Sequence, residues 1–395
     1  MKLRWFFSGT VRQATEMCQH VRKLLNAQRD VLLPQALEAV TAALCQTQAA
    51  IAADADDAAL GKHMAQLEEM AGKWIKPYPY ADWRENIEVF LVAIVVAMAI
   101  RTFFLQPFKI PTGSMEPTLF GIECTDLRDQ ADFKMPGPLV RFWDVIYDGT
   151  IWHEFIAPED GEVVRIGPLE HVLRFINKQT LWVQYRGQDR QVPFTIWCGP
   201  DEHLEHAIGL DRRFVFSKGE PIVRFKEVTG DHLFVDRVTY NFRRPRRGDI
   251  VVFKTKGIVG IPNQDQFYIK RLVGLPGESV SIGEDQHARI NGQRLDASTP
   301  HFENVYAFDP NAPRREGKTG QYNGHVLQPA STLRFPGDTI EIPARQFVVF
   351  GDNTLNSLDS RYWGPLPEQN VIGKSCFVYW PIGPSQTSRF GWGQR

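Results

Sequence analysis

The run from Val89 to Ile100 contains no charged or strongly polar side chain, and it extends to Leu105 if Arg101 and Thr102 are tolerated near its end. Such a segment must be buried in a core, cleaved as a signal, or placed in a bilayer. A spanning helix wants about 20 apolar residues, and a shorter run also suits a core helix or the apolar part of a signal peptide, so length alone leaves all three open. The run starts far from Met1, which argues against a cleaved signal even though Ala97-Met-Ala99 has the small-x-small form of a cleavage site. Apolar residues occupy every face rather than one stripe, which argues against a core helix. The segment is therefore read as one membrane anchor over 87–105, with Arg101 snorkelling to the far interface. Lys73, Lys76 and Arg84 upstream, against Arg101 and Lys109 downstream, lean weakly toward an inside N-terminus.

The 395 residues leave room for two or three domains, and 43% hydrophobic with 23% charged residues is the balance of a folded protein. A formal net charge of -1 gives no electrostatic case for nucleic acid. The five cysteines are Cys18, Cys45, Cys124, Cys198 and Cys376, and none forms the Cys-x-x-Cys pair of a zinc ribbon or a thioredoxin-type site. With the last three beyond the anchor, a Cys124–Cys198 disulfide and three free thiols, Cys376 included, are equally compatible with the sequence.

From Val11 to Ala71 the chain is rich in Ala, Gln, Leu and Glu, with Pro34 the only proline. It reads as two amphipathic helices broken near residue 34, with Leu32, Leu33, Leu37, Val40, Leu44 and Ile51 as the stripe. Asp54, Asp56 and Asp57 make the polar face acidic, which favours a hairpin packed on itself over a membrane-lying helix. After Leu119 the pattern changes to short strands punctuated by Gly and Pro: Gly161–Ile166, Thr180–Tyr185, Ile250–Phe253, Val280–Ile282 and Phe347–Phe350. The expected fold is mainly β, an antiparallel all-β catalytic body with an N-terminal helical region and one transmembrane helix.

Two separated segments carry the chemistry. Ile110-Pro-Thr-Gly-Ser-Met-Glu-Pro-Thr-Leu119 offers a serine just after a glycine, and Phe267-Tyr-Ile-Lys-Arg-Leu-Val-Gly-Leu-Pro-Gly277 offers a lysine inside an apolar strand. A serine hydroxyl is a poor nucleophile until a base takes its proton, and lysine can be that base only when neutral. An exposed lysine has a pKa of about 10.4, which apolar burial lowers by roughly 3 to 5 units. Strand alternation points Lys270 toward a cleft and Arg271 toward an acid on the other side, where the last motif offers Asp352 and Asp359. Alone, such a serine is ordinarily a turn residue and such a lysine a solvated one. Their joint order behind an anchor reverses those odds.

Together with Arg101-Thr-Phe-Phe-Leu-Gln-Pro-Phe108, Gly230-Asp-His-Leu-Phe-Val235, Arg247-Gly-Asp-Ile-Val-Val-Phe253 and Gly351-Asp-Asn-Thr-Leu-Asn-Ser-Leu-Asp-Ser-Arg-Tyr-Trp-Gly364, these segments resemble bacterial type I signal peptidases. Those are Ser-Lys serine proteases that cut signal peptides from exported preproteins. The resemblance covers 87–119 and 230–381, with gaps. It implies Ser114 as nucleophile and Lys270 as general base, with the Thr112 hydroxyl and the Ser114 N–H forming the oxyanion hole. It also implies Ser357 as the group that orients the lysine, and a structural ion-pair cluster of Arg271, Asp352, Asp359 and Arg361. Phe108, Ile110, Pro111, Met115, Leu119, Tyr268 and Ile269 would form shallow apolar subsites for the small residues before the cut. No metal or organic cofactor is needed. The implied setting is the bacterial inner membrane, single-pass, with the catalytic domain on the periplasmic side, contact with lipid and room for contact with the secretion machinery. Thr354 and Leu355 depart from the family, which often has a charged pair there, and this puts the packing behind Lys270 in question.

The expected domains are a cytoplasmic helical region at 1–75, the anchor at 87–105, a catalytic domain from 106–120 and 230–383, an insertion at 121–229 and a tail at 384–395. Trp143, Trp152, Trp182 and Trp197 give the insertion aromatic mass for its own core. Its Ala157-Pro-Glu-Asp-Gly-Glu-Val-Val164 is similar to lipoyl-like half-barrels, but no lysine sits at a carrier-type turn. The rival readings are a Ser-Lys processing protease of narrow specificity and an inactive scaffold that binds exported chains. A self-cleaving repressor is disfavoured by the anchor and by the lack of a DNA-binding segment.

Overall fold

The structure is a computed structural model of the chain. It describes residues 8–75, 81–130, 132–172, 176–197, 204–210, 214–262, 264–307, 324–383 and 390–392. Lys76, Cys198 and most of the 384–395 tail lie outside the described residues. Two compact units divide at Val95.

In the first unit three helices pack on one another: α1 (Gly9–Gln28), α2 (Pro34–Ala52) and α3 (Asp57–Trp74). Ser8 caps α1 by accepting from the Val11 N–H, and Pro34 opens α2, where its missing donor costs nothing. Val21, Leu25, Val40, Leu44 and Leu67 form the core, with a second cluster of Val11, Ala14, Ala50 and Leu60. Three helices replace the expected two. The acids read as one helical face instead make a second break: Asp54 takes a left-handed conformation, φ 53°, and Asp56 caps α3 by accepting from the Ala59 N–H at 2.9 Å. Leu32 and Leu33 fall in the first turn, off the helical stripe.

Helix α4 (Ala81–Ala99) continues through a π-helical turn, Ile100–Phe104. The stretch Trp83–Phe104 has 22 residues, and an 18-residue window within it has a mean hydropathy of 2.3 and no buried part, so it is long and apolar enough to cross a membrane. Its length of about 30 Å matches a hydrocarbon core. Unlike a core helix, it leaves Val89, Phe90 and Val95 exposed. Leu105, read as the end of the anchor, already belongs to a strand.

Antiparallel strands dominate the second unit. The main sheet contains β1 (Leu105–Lys109), β2 (His232–Asp236), β3 (Ile250–Lys254), β4 (Phe267–Gly274), β5 (Gln346–Phe350), β6 (Leu366–Pro367) and β7 (Val371–Trp380). Their spatial order is β1-β2-β7-β3-β4-β5-β6, and Gly391–Trp392 pairs with β7. Alternation sends Ile250 and Val252 to one face with Ile110, Met115, Leu119 and Leu233. Val251 and Phe253 go to the other face with Leu272 and Val349. A four-stranded sheet built on Ser279–Ile282 and Ala288–Ile290 packs Val280, Ile282 and Phe302 against Val273 and Phe350.

Residues between Gly121 and Thr229 add two further sheets. A three-stranded one places Pro221–Val228 between Glu123–Asp126 and Thr150–Ile156, and a five-stranded one is built on Ile176–Tyr185. Val163, Leu181, Val183, Ile222 and Phe225 supply the core here. The expected aromatic core is thereby corrected: Trp143 and Trp197 are exposed, and Trp152 and Trp182 only half-buried, because on these strands the inward positions carry Val, Leu, Ile and Phe. The two ends of the segment meet, with Asp231 N–H donating to the Phe120 carbonyl and Phe120 N–H donating to Asp231 Oδ2 at 2.8 Å. Gly230 cannot be replaced there without movement, since a Cβ would lie 1.8 Å from the Ile110 carbonyl oxygen.

Candidate active site

Ser114 sits in a short 3-10 turn, Gly113–Met115, that follows β1 and is itself buried. Lys270 lies on β4 opposite Val251, flanked by strands on both sides. Although 156 positions separate them, the Lys270 Nζ donates to Ser114 Oγ at 2.8 Å. Burial among apolar strands pushes the lysine pKa down to about 8, against the opposing charges of Asp359 and Asp352 and with help from Arg361.

The next residue faces the other way. Arg271, fully buried, donates to Asp352 through Nε at 2.8 Å and Nη2 at 2.6 Å, a bidentate pair. Its Nη2 also donates to Thr118 Oγ1 at 3.1 Å, which ties the ion pair to the serine segment. Arg361 clasps Asp359 in the same manner, through Nε and Nη2, each at 2.9 Å. Burial opposes the Asp359 charge, but Arg361 and the hydrogen bonds from Arg361, Gly351 and Ser357 outweigh it and hold the carboxyl below the usual range. Thr354 completes this cluster: its Oγ1 and its carbonyl accept from Arg361 at 2.6 and 2.8 Å. Thr354 thus gives Arg361 two neutral acceptors.

Ser357 lines the same cleft as Lys270, yet its hydroxyl donates to Asp359 Oδ2 at 2.7 Å. The hydrogen bond made by Lys270 goes to Ser114. Gly351 explains how the last motif comes so close, because a Cβ there would lie 2.1 Å from Ser357 Oγ and 2.5 Å from the Ser114 carbonyl oxygen. Asn353, which the sequence does not single out, donates to that carbonyl through its N–H at 3.1 Å and to the Gly113 carbonyl through Nδ2 at 2.9 Å.

A cleft of about 540 Å³ opens over the pair, lined by Pro111, Thr112, Tyr268, Ile269 and Ser357. Thr112 is exposed there, next to Ser114 across Gly113. Four of the expected apolar walls are corrected: Met115 and Leu119 are fully buried, Ile110 is nearly so, and Phe108 packs beside them, so these residues are the floor beneath the cleft. Their burial follows from packing against Leu233 and Val235 of β2 and Ile250 and Val252 of β3. The walls that the sequence reading missed are Gln266, Phe267, Leu355 and Leu358, with Phe267 packed edge-on against Phe108 at 5.3 Å. The available sequence signal was position: Gln266 and Phe267 adjoin Tyr268, and Leu355 and Leu358 lie within the Gly351–Gly364 segment. A Cβ at Gly113 would meet the Glu116 carboxylate, 2.5 Å from its Oε1.

A family model described as signal peptidase, peptidase S26, matches residues 83–124 and 226–380, which include Ser114, Lys270 and the Gly351–Gly364 segment. The chain belongs to this signal peptidase family. Signal peptidase I of Leptolyngbya laminosa is 32% identical over 154 residues, covering 38% of this chain and 61% of its own length. A probable signal peptidase I-1 of Synechocystis is 35% identical over 154 residues, covering 38% and 63%. A signal peptidase I structure from Enterococcus faecalis V583 is 28% identical and covers 33% of this chain and 97% of that one, with a TM-score of 0.23. The chain spans about three-fifths of the length of these two sequence relatives. Residues 125–225 fall outside the family match.

Proposed function

We propose that the chain is a membrane-anchored serine endopeptidase that removes signal peptides from exported preproteins, with Ser114 as nucleophile and Lys270 as general base. The observation that carries this reading is the 2.8 Å hydrogen bond between Lys270 Nζ and Ser114 Oγ, made by a lysine whose burial favours the neutral amine. The signal peptidase relatives supply the substrate class.

Neutral Lys270 takes the proton of Ser114 Oγ as that oxygen attacks the carbonyl carbon of the scissile peptide. The Thr112 hydroxyl and the Ser114 N–H stabilise the oxyanion. The lysine then gives its proton to the departing amine, leaving an ester on Ser114. A water, deprotonated by the same lysine, hydrolyses that ester and restores the pair. Arg271–Asp352 and Arg361–Asp359 hold the strands that present the two groups. An extended substrate pairs its backbone along the cleft, with small side chains over Tyr268 and Ile269. The family resemblance and the weak charge bias support an orientation with the N-terminal helices in the cytoplasm and the catalytic body on the periplasmic side.

The test is cleavage of a preprotein in detergent by the wild type and by Ser114→Ala. Cleavage by the wild type that disappears in the variant is expected; equal cleavage by both would remove Ser114 from the reaction.

A further inference from the structure

The helix Pro138–Trp143, with its π-helical continuation Asp144–Asp148, is built inside out. Its charged residues Arg141, Asp144 and Asp148 are half-buried toward the protein, where Asp144 Oδ2 accepts from Trp152 Nε1 at 2.8 Å. Leu139, Val140, Phe142, Trp143, Ile146 and Tyr147 face outward, with Leu139 78% and Phe142 57% exposed. A water-facing helix on a folded body shows the opposite arrangement. A contiguous apolar patch of this kind marks an interaction surface.

Its position indicates the occupant. Trp380 Nε1 donates to the Ile146 carbonyl at 2.6 Å, and the Ile382 and Gly383 N–H groups both donate to the Tyr147 carbonyl at 2.8 Å. Trp380 closes β7, which pairs with β2, which pairs with β1, and β1 starts at the residue after the apolar span. In register, the anchor exit lies at Leu105–Asp236–Lys374 and the helix at Lys109–His232–Trp380. That offset is about 14 Å along the strands and about 10 Å across them. A stiff three-strand bracket therefore holds the apolar face close to the point where the chain leaves the bilayer.

We propose that helix 138–148 lies in the membrane interface, its outer face in the boundary between headgroups and acyl chains. Trp143 and Tyr147 suit that depth, since each pairs an apolar ring with a polar tip. No charged side chain faces outward, so insertion is apolar rather than electrostatic and needs no anionic lipid. The helix lies outside the family match. Two points of contact, the anchor and this helix, fix the tilt of the catalytic body against the bilayer.

The inference rests on Trp83–Phe104 being a membrane anchor, and the test separates the two. p-Benzoylphenylalanine is placed singly at Phe142, at Leu139 and, as the anchor control, at Val92 of the full chain. The protein is reconstituted in phosphatidylcholine vesicles, irradiated and examined by mass spectrometry for phospholipid adducts. Lipid adducts at all three positions are expected. Adducts at Val92 alone, with positions 139 and 142 unreacted or joined to a second copy of the chain, would overturn the helix proposal and leave the anchor standing. Absence of lipid at Val92 would remove the anchor and this proposal with it.

Discussion

Asn353 holds the peptide units on both sides of the Ser114 α-carbon: its backbone N–H donates to the Ser114 carbonyl and its side chain to the Gly113 carbonyl. These two bonds set the plane of the 113–114 ribbon relative to Lys270. Asn353→Ala should lower kcat roughly fivefold with little change in KM, the size expected when a hydrogen bond worth about 1 kcal/mol no longer aligns the reacting groups. Steady-state kinetics on a peptide substrate would measure it. A changed KM with intact kcat would assign Asn353 to substrate binding instead.

The lysine sets the pH dependence. Its pKa of about 8 means that the neutral, competent form grows as pH rises through that value, so kcat/KM should climb across the same range. Lys270→Arg should be inactive throughout, because guanidinium stays protonated. A pH–rate profile of both enzymes checks the assignment, and a flat wild-type profile would contradict it.

Thr112 stands exposed at the cleft, two residues before the serine. Thr112→Val should reduce kcat by roughly 100-fold to 1000-fold, the effect of removing one oxyanion donor, while Thr112→Ser should keep most activity. Unchanged turnover in the valine variant would take Thr112 out of the mechanism.

Much of the β body is legible in the sequence, because β-branched and aromatic runs bounded by Gly and Pro mark strands directly. Gly161–Ile166 and Ile250–Phe253 are strands in the structure. Alternation along β4 correctly separates Lys270 from Arg271, since period-two geometry is a local property of the chain. What the sequence hides is non-local. Met115 and Leu119 are floor rather than wall only because β2 and β3 cover them. Asn353 matters only because Gly351 brings its loop against Ser114. Trp143 looks like core material until the fold turns it outward.

Arg271 and Asp352 are both fully buried, so removing one leaves a charge without a partner in apolar surroundings. Asp352→Ala should destabilise the catalytic body by about 3–5 kcal/mol. Denaturant unfolding monitored by tryptophan fluorescence would report it. A loss within about 0.5 kcal/mol, the range of a surface substitution, would mean that the pair carries little structural weight.

The meeting of Phe120 with Asp231 predicts that 121–229 can be replaced by a short Gly-Ser linker, because closing a short loop there costs little. The shortened chain should fold and cut a simple peptide. Folded protein without cleavage would place part of the segment in the active site.

The burial of Lys270 also ties activity to conformational stability. Between the folded pKa of about 8 and the ordinary lysine value, the unfolded chain holds a proton that the folded chain has released. Folding is therefore favoured as pH rises through that window, and the contribution is lost as pH falls through about 8. At neutral pH the protein carries a base that the unfolded state protonates more readily, a standing bias against its own native state. Lys270→Met, which fills the same space without a titrating group, should be inactive and yet unfold at a higher temperature at pH 7. Under the proposed general-base role, the property that arms Lys270 weakens the fold that surrounds it.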